Sequence, residues 1–411
     1  MYRRGGVNMN KAIHKKSLIG ILIFCVAAMA TNMTMGILAK IMQSYPDVSP
    51  VTVQSVLVGP ALIGTIYAFF VGMLNRKIPA KRLLMFAQAA LLLYGIIFWM
   101  GGGRVPIAVL ICASGLAGFN QGSMNTIFGL LLMEAVPDDK KRGSLIGIGT
   151  AVMSIGGMAF TTVVGVIANV KWQNAYLLFF YYLIAIILEL ILLPNVAPEG
   201  SAAAPAAEKQ QETSKGGMAR VWILSIHYFF FFLWLYCFGT NCSEYVISTY
   251  KLGTAAEAGI AASCVTIGGI FAGLFYGAYS KVLKRFTVPC MMGLSVIGLA
   301  IAVFITDSLI GVYVAGILLG FAMMGANPYI LEYLQELAPG AKYGKALSVF
   351  SGFMNTGMVV AIYVIAFLTQ LVCGNGADVH YKFVVAFVGD LIVFALSFFV
   401  YLPRSKKADK Q

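Results

Sequence analysis

Apolar runs long enough to cross a bilayer recur along almost the whole chain, and they leave it few ways to fold. A hydrocarbon layer ~30 Å thick takes about 20 helical residues, and runs of that kind lie at 17–42, 51–75, 82–101, 105–133, 143–168 and 173–194, then at 219–243, 257–281, 287–306, 309–336, 345–373 and 382–402. Inside lipid every backbone N–H and C=O must find its partner within the protein, so runs of this length are helices. The expected fold class is an all-α membrane protein with twelve transmembrane helices. Composition settles the one alternative, a water-soluble bundle: 60% hydrophobic and 11% charged residues cannot cover a soluble surface. The basic leader Met1–Lys16 precedes an apolar run too long for a cleaved signal, and eleven more runs follow, so 17–42 reads as an uncleaved first span.

The twelve runs divide into two similar sets of six. GFNQGSMNTIFGLLLMEAVPDDKKRGSL at 118–145 reappears in skeleton as GFAMMGANPYILEYLQELAPGAKYGKAL at 320–347. Gly118, Phe119, Asn125, Glu134, Pro137, Lys140 and Leu145 match Gly320, Phe321, Asn327, Glu336, Pro339, Lys342 and Leu347 at one offset of 202. A constant offset of half the chain marks a duplicated unit. Gly64 and Gly72 recur at an offset of 205 as Gly269 and Gly277, and Gly269, Gly273 and Gly277 stand four residues apart, a spacing that lets helices approach closely in lipid. Between the sets, the Ala-, Pro-, Glu- and Lys-rich stretch Asn195–Gly217 buries nothing and reads as a linker. The expected domains are a six-helix bundle over 1–194, a linker over 195–218, a second bundle over 219–403 and a polar tail over 404–411.

The formal net charge of +13 is dispersed in short clusters between apolar runs, which speaks against nucleic acid as a partner. Alternating the spans puts 24 of the 29 lysines and arginines on the side of the termini and leaves Lys40, Arg104, Lys171, Lys251 and Lys382 opposite. Cytoplasmic lysine and arginine enrichment then places both termini and the linker in the cytoplasm, with the chain integral to the plasma membrane. Seven cysteines show no C-x-x-C spacing and read as small core residues.

At this point the residues resemble the major facilitator superfamily of secondary transporters, whose layout is two parallel six-span halves joined by a long cytoplasmic loop. After the second span Gly72, Leu74, Lys77 and Lys81 resemble its G-x-L-A-D-R-x-G-R-K signature, although Arg76 stands at the aspartate and Pro79 at the second glycine. Lys281 takes the aspartate place in the second copy. Glu134, Pro137, Arg142 and Gly143 resemble the E-x-x-P-x-x-x-R-G segment of its sugar-porter branch, with one residue inserted. The resemblance implies two pseudo-symmetric six-helix bundles, alternating access without ATP, and a central cavity lined by spans 1, 4, 7 and 10. On those spans helical spacing gathers polar and aromatic faces. Thr31 and Thr34 share one, Gln121 and Asn125 another, Met323 and Asn327 a third, and His227, Phe231, Trp234, Phe238 and Asn241 a fourth. These are the candidate cavity residues, weighed against plain helix packing.

Each half also pairs an acid with a basic cluster at its cytoplasmic end: Glu134 with Arg76, Lys77 and Arg82, and Glu336 with Lys281, Lys284 and Arg285. Both sets are candidates for a cytoplasmic gate. Asp390, mid-way along the last span and on one face with Ala386 and Ser397, and Glu332, whose first-half counterpart is Leu130, are the candidates for ion coupling, while Glu189 is expected to reach the cytoplasmic interface. With no lysine or arginine mid-membrane, the expected solute is a small, uncharged, aromatic or amphipathic organic molecule, coupled to H+ or a second solute and carried by a monomer. Nothing resembles a catalytic or metal motif; the histidines lie at 14, 227 and 380, apart from one another, so no enzyme, cofactor or metal is expected. The alternative is a non-transporting membrane sensor built on a transporter-like fold.

Overall fold

The computed structural model describes residues 15–75, 77–135, 139–193, 217–338 and 341–402. The linker core, the tail, Arg76 and Pro137 therefore lie outside the described residues. Every regular element among those described is helical.

The first half comprises α1 (Lys15–Ala27), α2 (Met33–Gln43), α3 (Pro50–Gln54), α4 (Val58–Leu74), α5 (Ala80–Gly101), α6 (Ile107–Ala135), α7 (Asp139–Lys171) and α8 (Tyr181–Leu192). The second comprises α9 (Gly217–Glu244), α10 (Ala255–Leu283), α11 (Thr287–Phe304), α12 (Leu309–Leu337), α13 (Ala341–Cys373) and α14 (Val379–Tyr401). Helix starts follow local chemistry. Ser49 and Asp378 accept N-cap bonds at α3 and α14, and Thr254 with Glu257 forms a capping box at α10. Among the described residues ten stretches are long and apolar enough to span a membrane; two of them, Val152–Leu192 and Ala255–Phe304, each run through two consecutive helices, which accounts for the expected twelve. Leu274, Phe304 and Phe399 are more than two-thirds exposed on the outer surface, where only lipid makes them stable.

The first span departs from the expected single helix. It breaks at 28–32 into α1, a 3-10 turn and α2. The carbonyls released at the end of α1 are satisfied from neighbouring helices, as a bilayer demands: Asn120 Nδ2 donates to Ala28 O at 2.9 Å and the Tyr182 hydroxyl to Ala27 O, while the Tyr181 hydroxyl adds a bond to Ile23 O at 2.6 Å one turn earlier.

Glycines set the tightest helix pairs. A Cβ on Gly122 of α6 would stand 2.1 Å from Gly64 O of α4, and one on Gly320 of α12 would stand 1.8 Å from Val265 O of α10. The duplicated helix pair is thus welded the same way in both halves. Of the glycine row on α10, however, only Gly269 has a neighbour; Gly273 and Gly277 face open space within 4 Å.

The halves meet through α2 with α9 and α10, α7 with α10, and α3 and α4 with α13. Gly36 lies against Gly259, Ser243 Oγ donates to Gly36 O at 2.9 Å, the Ser55 and Tyr363 hydroxyls are 2.9 Å apart, and Ala255 N donates to Asn169 Oδ1 at 3.0 Å. Leu38, Leu57 and Ile362 form an apolar plug among these bonds. Among the described residues these contacts lie towards the end of the bundle remote from the chain termini.

Candidate functional site

A small cavity opens between the halves beside the break in the first span, which turns Thr31 and Asn32 towards it. Thr34, Tyr94 and Gln121 complete its first-half polar wall, Tyr236 of α9 contributes the second-half side, and Met35, Leu57, Pro60 and Met358 are among its apolar lining. Thr34 is buried with its hydroxyl 2.9 Å from the Tyr94 hydroxyl and 3.1 Å from that of Tyr176, so it braces the wall. The side chains of Thr31, Asn32, Gln121 and Tyr236 make no hydrogen bond among the described residues. Four neutral donor–acceptor groups therefore face one space, and the described lining carries no charge.

Thr31, Thr34 and Gln121 are brought together as the helical faces require. The stripe on α9 is not. His227 is buried, with Nε2 3.0 Å from Val393 O and Nδ1 3.3 Å from the Tyr401 hydroxyl. A carbonyl only accepts, so Nε2 carries the proton and Nδ1 accepts from Tyr401, which occupies both ring nitrogens. Phe231 is fully buried in the second-half core, and the Trp234 ring lies where a Cβ on Gly389 would be, 2.3 Å away. Phe238 meets Phe383 edge-on. His227, Trp234 and Phe238 pack α9 on α14 because the largest rings bury most area inside their own bundle. The face of α9 towards the first half is the smaller, more polar one, with Tyr236, Gly239 against Met35, and Ser243. Asn241 lies in the seam between halves, bonded to Gln54. Met323 is half-buried against the second-half core, Asn327 is half-buried with no hydrogen bond among the described residues, and the Asn125 side chain lies outside them.

Of the gate candidates, Lys77, Arg82, Lys281, Lys284 and Glu336 are exposed and Arg285 half-exposed at helix ends, with Arg285 5.4 Å from the Phe286 ring centre. Arg76 and the Glu134 side chain lie outside the described residues. Asp390 is fully buried with Ala386 and Ser397, as their spacing requires, and Ser295 Oγ of α11 donates to its Oδ2 at 2.6 Å. Glu332 is exposed and accepts from the Tyr276 hydroxyl at 2.9 Å.

One expectation is corrected. Glu189 does not reach the interface: it is fully buried and accepts from Gln88 Nε2 at 2.9 Å, because its face of α8 packs on α5. Gln88–Glu189 on the third and sixth spans and Ser295–Asp390 on the ninth and twelfth are thus one device repeated in both halves, a buried carboxyl tying the last span of each bundle. Lys382, expected at the start of the last span on the side opposite the termini, sits in the first turn of α14, 1% exposed, with Nζ 3.1 Å from Asn241 Oδ1. His380 is likewise helical, its Nδ1 2.8 Å from the Tyr250 hydroxyl. Burial, with the Asp378 carboxylate nearby, pushes the Tyr250 phenol up, so Tyr250 keeps its proton. Lys81 is buried too, and its Nζ donates to Leu190 O at 2.8 Å and Leu193 O at 2.7 Å, capping the end of α8.

The sequence profile described as Major Facilitator Superfamily matches residues 20–254 and again 229–411. No curated protein sequence matches the chain. Among solved structures, a mutant of the nucleoside transporter NupG aligns with a TM-score of 0.73 at 14% identity, over 94% of this chain and 98% of its own. A bacterial homologue of the human lysosomal transporter Spinster, inward-facing and unoccupied, aligns with a TM-score of 0.70 at 14% identity, over 96% of this chain and 98% of its own. Likeness at that identity establishes the fold.

Proposed function

The chain belongs to the Major Facilitator Superfamily of membrane transporters, and from that premise we propose that it is a secondary active carrier of a small uncharged organic solute. It works by alternating access around the cavity beside the broken first span. One observation carries this reading. Thr31, Asn32 and Gln121 from one half and Tyr236 from the other present neutral hydrogen-bonding groups, with no side-chain partner among the described residues, to a shared space between walls of Met, Leu and Pro. A solute with hydroxyl or amide groups on an apolar or aromatic frame satisfies both kinds of wall. Contact between the halves at the end remote from the termini supports an inward-facing state, given cytoplasmic termini. The chain works as a monomer in the plasma membrane, and H+ or a second solute supplies the coupling, with Asp390 and Glu332 as its candidate residues. Arg76, Lys77, Arg82 and Glu134 with Lys281, Lys284, Arg285 and Glu336 form the gate on the cytoplasmic side.

The test is thermal melting of the purified protein against a panel of nucleosides, sugars, amino acids and neutral aromatics. A ligand of the folded state raises the melting temperature. Gln121→Ala and Tyr236→Phe should each weaken that ligand about 5- to 100-fold, since each removes a hydrogen bond in a desolvated site. A ligand indifferent to both variants would place the site elsewhere.

A further inference from the structure

One polar chain crosses from half to half through deeply buried side chains. Gln54, at the end of α3, donates Nε2 to Asn241 Oδ1 of α9 at 2.8 Å, and Lys382 of α14 donates Nζ to the same oxygen at 3.1 Å. The three residues are 1%, 3% and 1% exposed. The other side of the Asn241 amide is also engaged, since its Nδ2 donates to Cys237 O and to Thr240 Oγ1, both at 2.9 Å. Its oxygen has two lone pairs, one for each incoming donor.

The surroundings fit a contact that breaks and reforms. The triad lies in the layer where the halves meet, with the Ser243–Gly36 and Ser55–Tyr363 bonds and the Leu38, Leu57 and Ile362 plug. Lys382 makes one side-chain hydrogen bond among the described residues although an ammonium has three donors, and its carboxyl neighbours are Glu244 on α9 and Asp378, the N-cap of α14. An incompletely satisfied cation held out of water is costly. Parting the halves at this end withdraws Gln54 with α3 and lets water reach Lys382 and Asn241. Rehydration then offsets the lost bonds. A plug of hydrocarbon alone would have no such compensation.

We propose that Gln54, Asn241 and Lys382 form the latch of the far-side gate, one shared oxygen that holds α3 to α9 and α14 while that end is closed and releases α3 when it opens. The proposal rests on the alternating-access reading above. Lys382 acts in it as a positioning residue, fixing the oxygen that Gln54 must find.

Hydrogen–deuterium exchange on the purified full chain tests it, reading peptides over residues 44–58 and 239–252 against α5 as an internal control. Gln54→Leu and Lys382→Met should each speed exchange in both windows by about tenfold, the scale of one buried hydrogen bond, and leave α5 unchanged. The double variant should exchange no faster than the faster single, because both donors act on one oxygen. Effects that multiply in the double variant would overturn the latch. Gln54→Leu carries the test even if Lys382→Met does not fold, since unchanged exchange in that variant alone also overturns it. The readout needs no solute, so its failure removes the latch and leaves the transport reading standing.

Discussion

Gly122→Ala is a one-methyl change whose cost can be worked from the backbone. The new Cβ would lie 2.1 Å from Gly64 O and 2.9 Å from Gly64 Cα. A relaxed carbon–oxygen contact is about 3.3 Å or more, so α4 and α6 must separate by roughly 1.2 Å, and the obstructing atoms are backbone that cannot rotate away. Overpacking of this kind costs about 1–3 kcal/mol and sometimes more. Gly277→Ala is the matched control on the same duplicated framework: nothing lies within 4 Å of its Cβ, and the better helix propensity of alanine contributes up to about 1 kcal/mol in the other direction. In thermal unfolding of the purified protein, Gly122→Ala should melt several degrees below the parent, and Gly277→Ala at or above it. Gln121 immediately precedes Gly122 and lines the cavity, so Gly122→Ala should also weaken solute binding while Gly277→Ala leaves it intact. Equal melting of the two variants would refute the claim that backbone contact between α4 and α6 sets the wall of the cavity.

Asp390→Asn should fold, because an amide oxygen still accepts from Ser295, and should lose gradient-driven accumulation while solute exchange survives; accumulation at parental level would reduce Asp390 to a helix tie. Lys81→Met strips two carbonyls of a charged donor at the end of α8 and should lower stability by about 1.5–3 kcal/mol, read as an earlier denaturant midpoint. Lys81→Arg should recover part of that loss, and equal stability of all three would show the cap to be idle.

The fold class was legible in the sequence because lipid permits so little else: twelve apolar runs and a constant offset of 202 carry it without any contact being known. Part of the site was legible too, since Thr31, Thr34 and Gln121 fall on faces that helical periodicity gathers. What periodicity cannot supply is the direction in which a face points. The aromatic stripe of His227, Phe231 and Trp234 has the stronger pattern, and for that reason it is buried within its own bundle, leaving Tyr236 for the cavity. The break at 28–32 that exposes Asn32 carries no proline or glycine; it depends on Asn120 and Tyr182, distant in sequence, to receive the freed carbonyls. Lys382 and Glu189 sit near span ends, where a long charged side chain ordinarily reaches water. Only their partners, Asn241 and Gln88, reveal that these two turn inward.

The central claim is that one cavity is presented alternately to the two sides of the membrane. Counterflow in liposomes holding the purified protein, preloaded with an excess of the solute that raises its melting temperature and diluted into a trace of the labelled form without ATP, tests it most directly. The label should accumulate transiently inside, and should fail to do so in protein-free vesicles and with Gln121→Ala. A protein that binds the solute with a raised melting temperature yet carries no label across would contradict the account and identify a sensor on a transporter's frame.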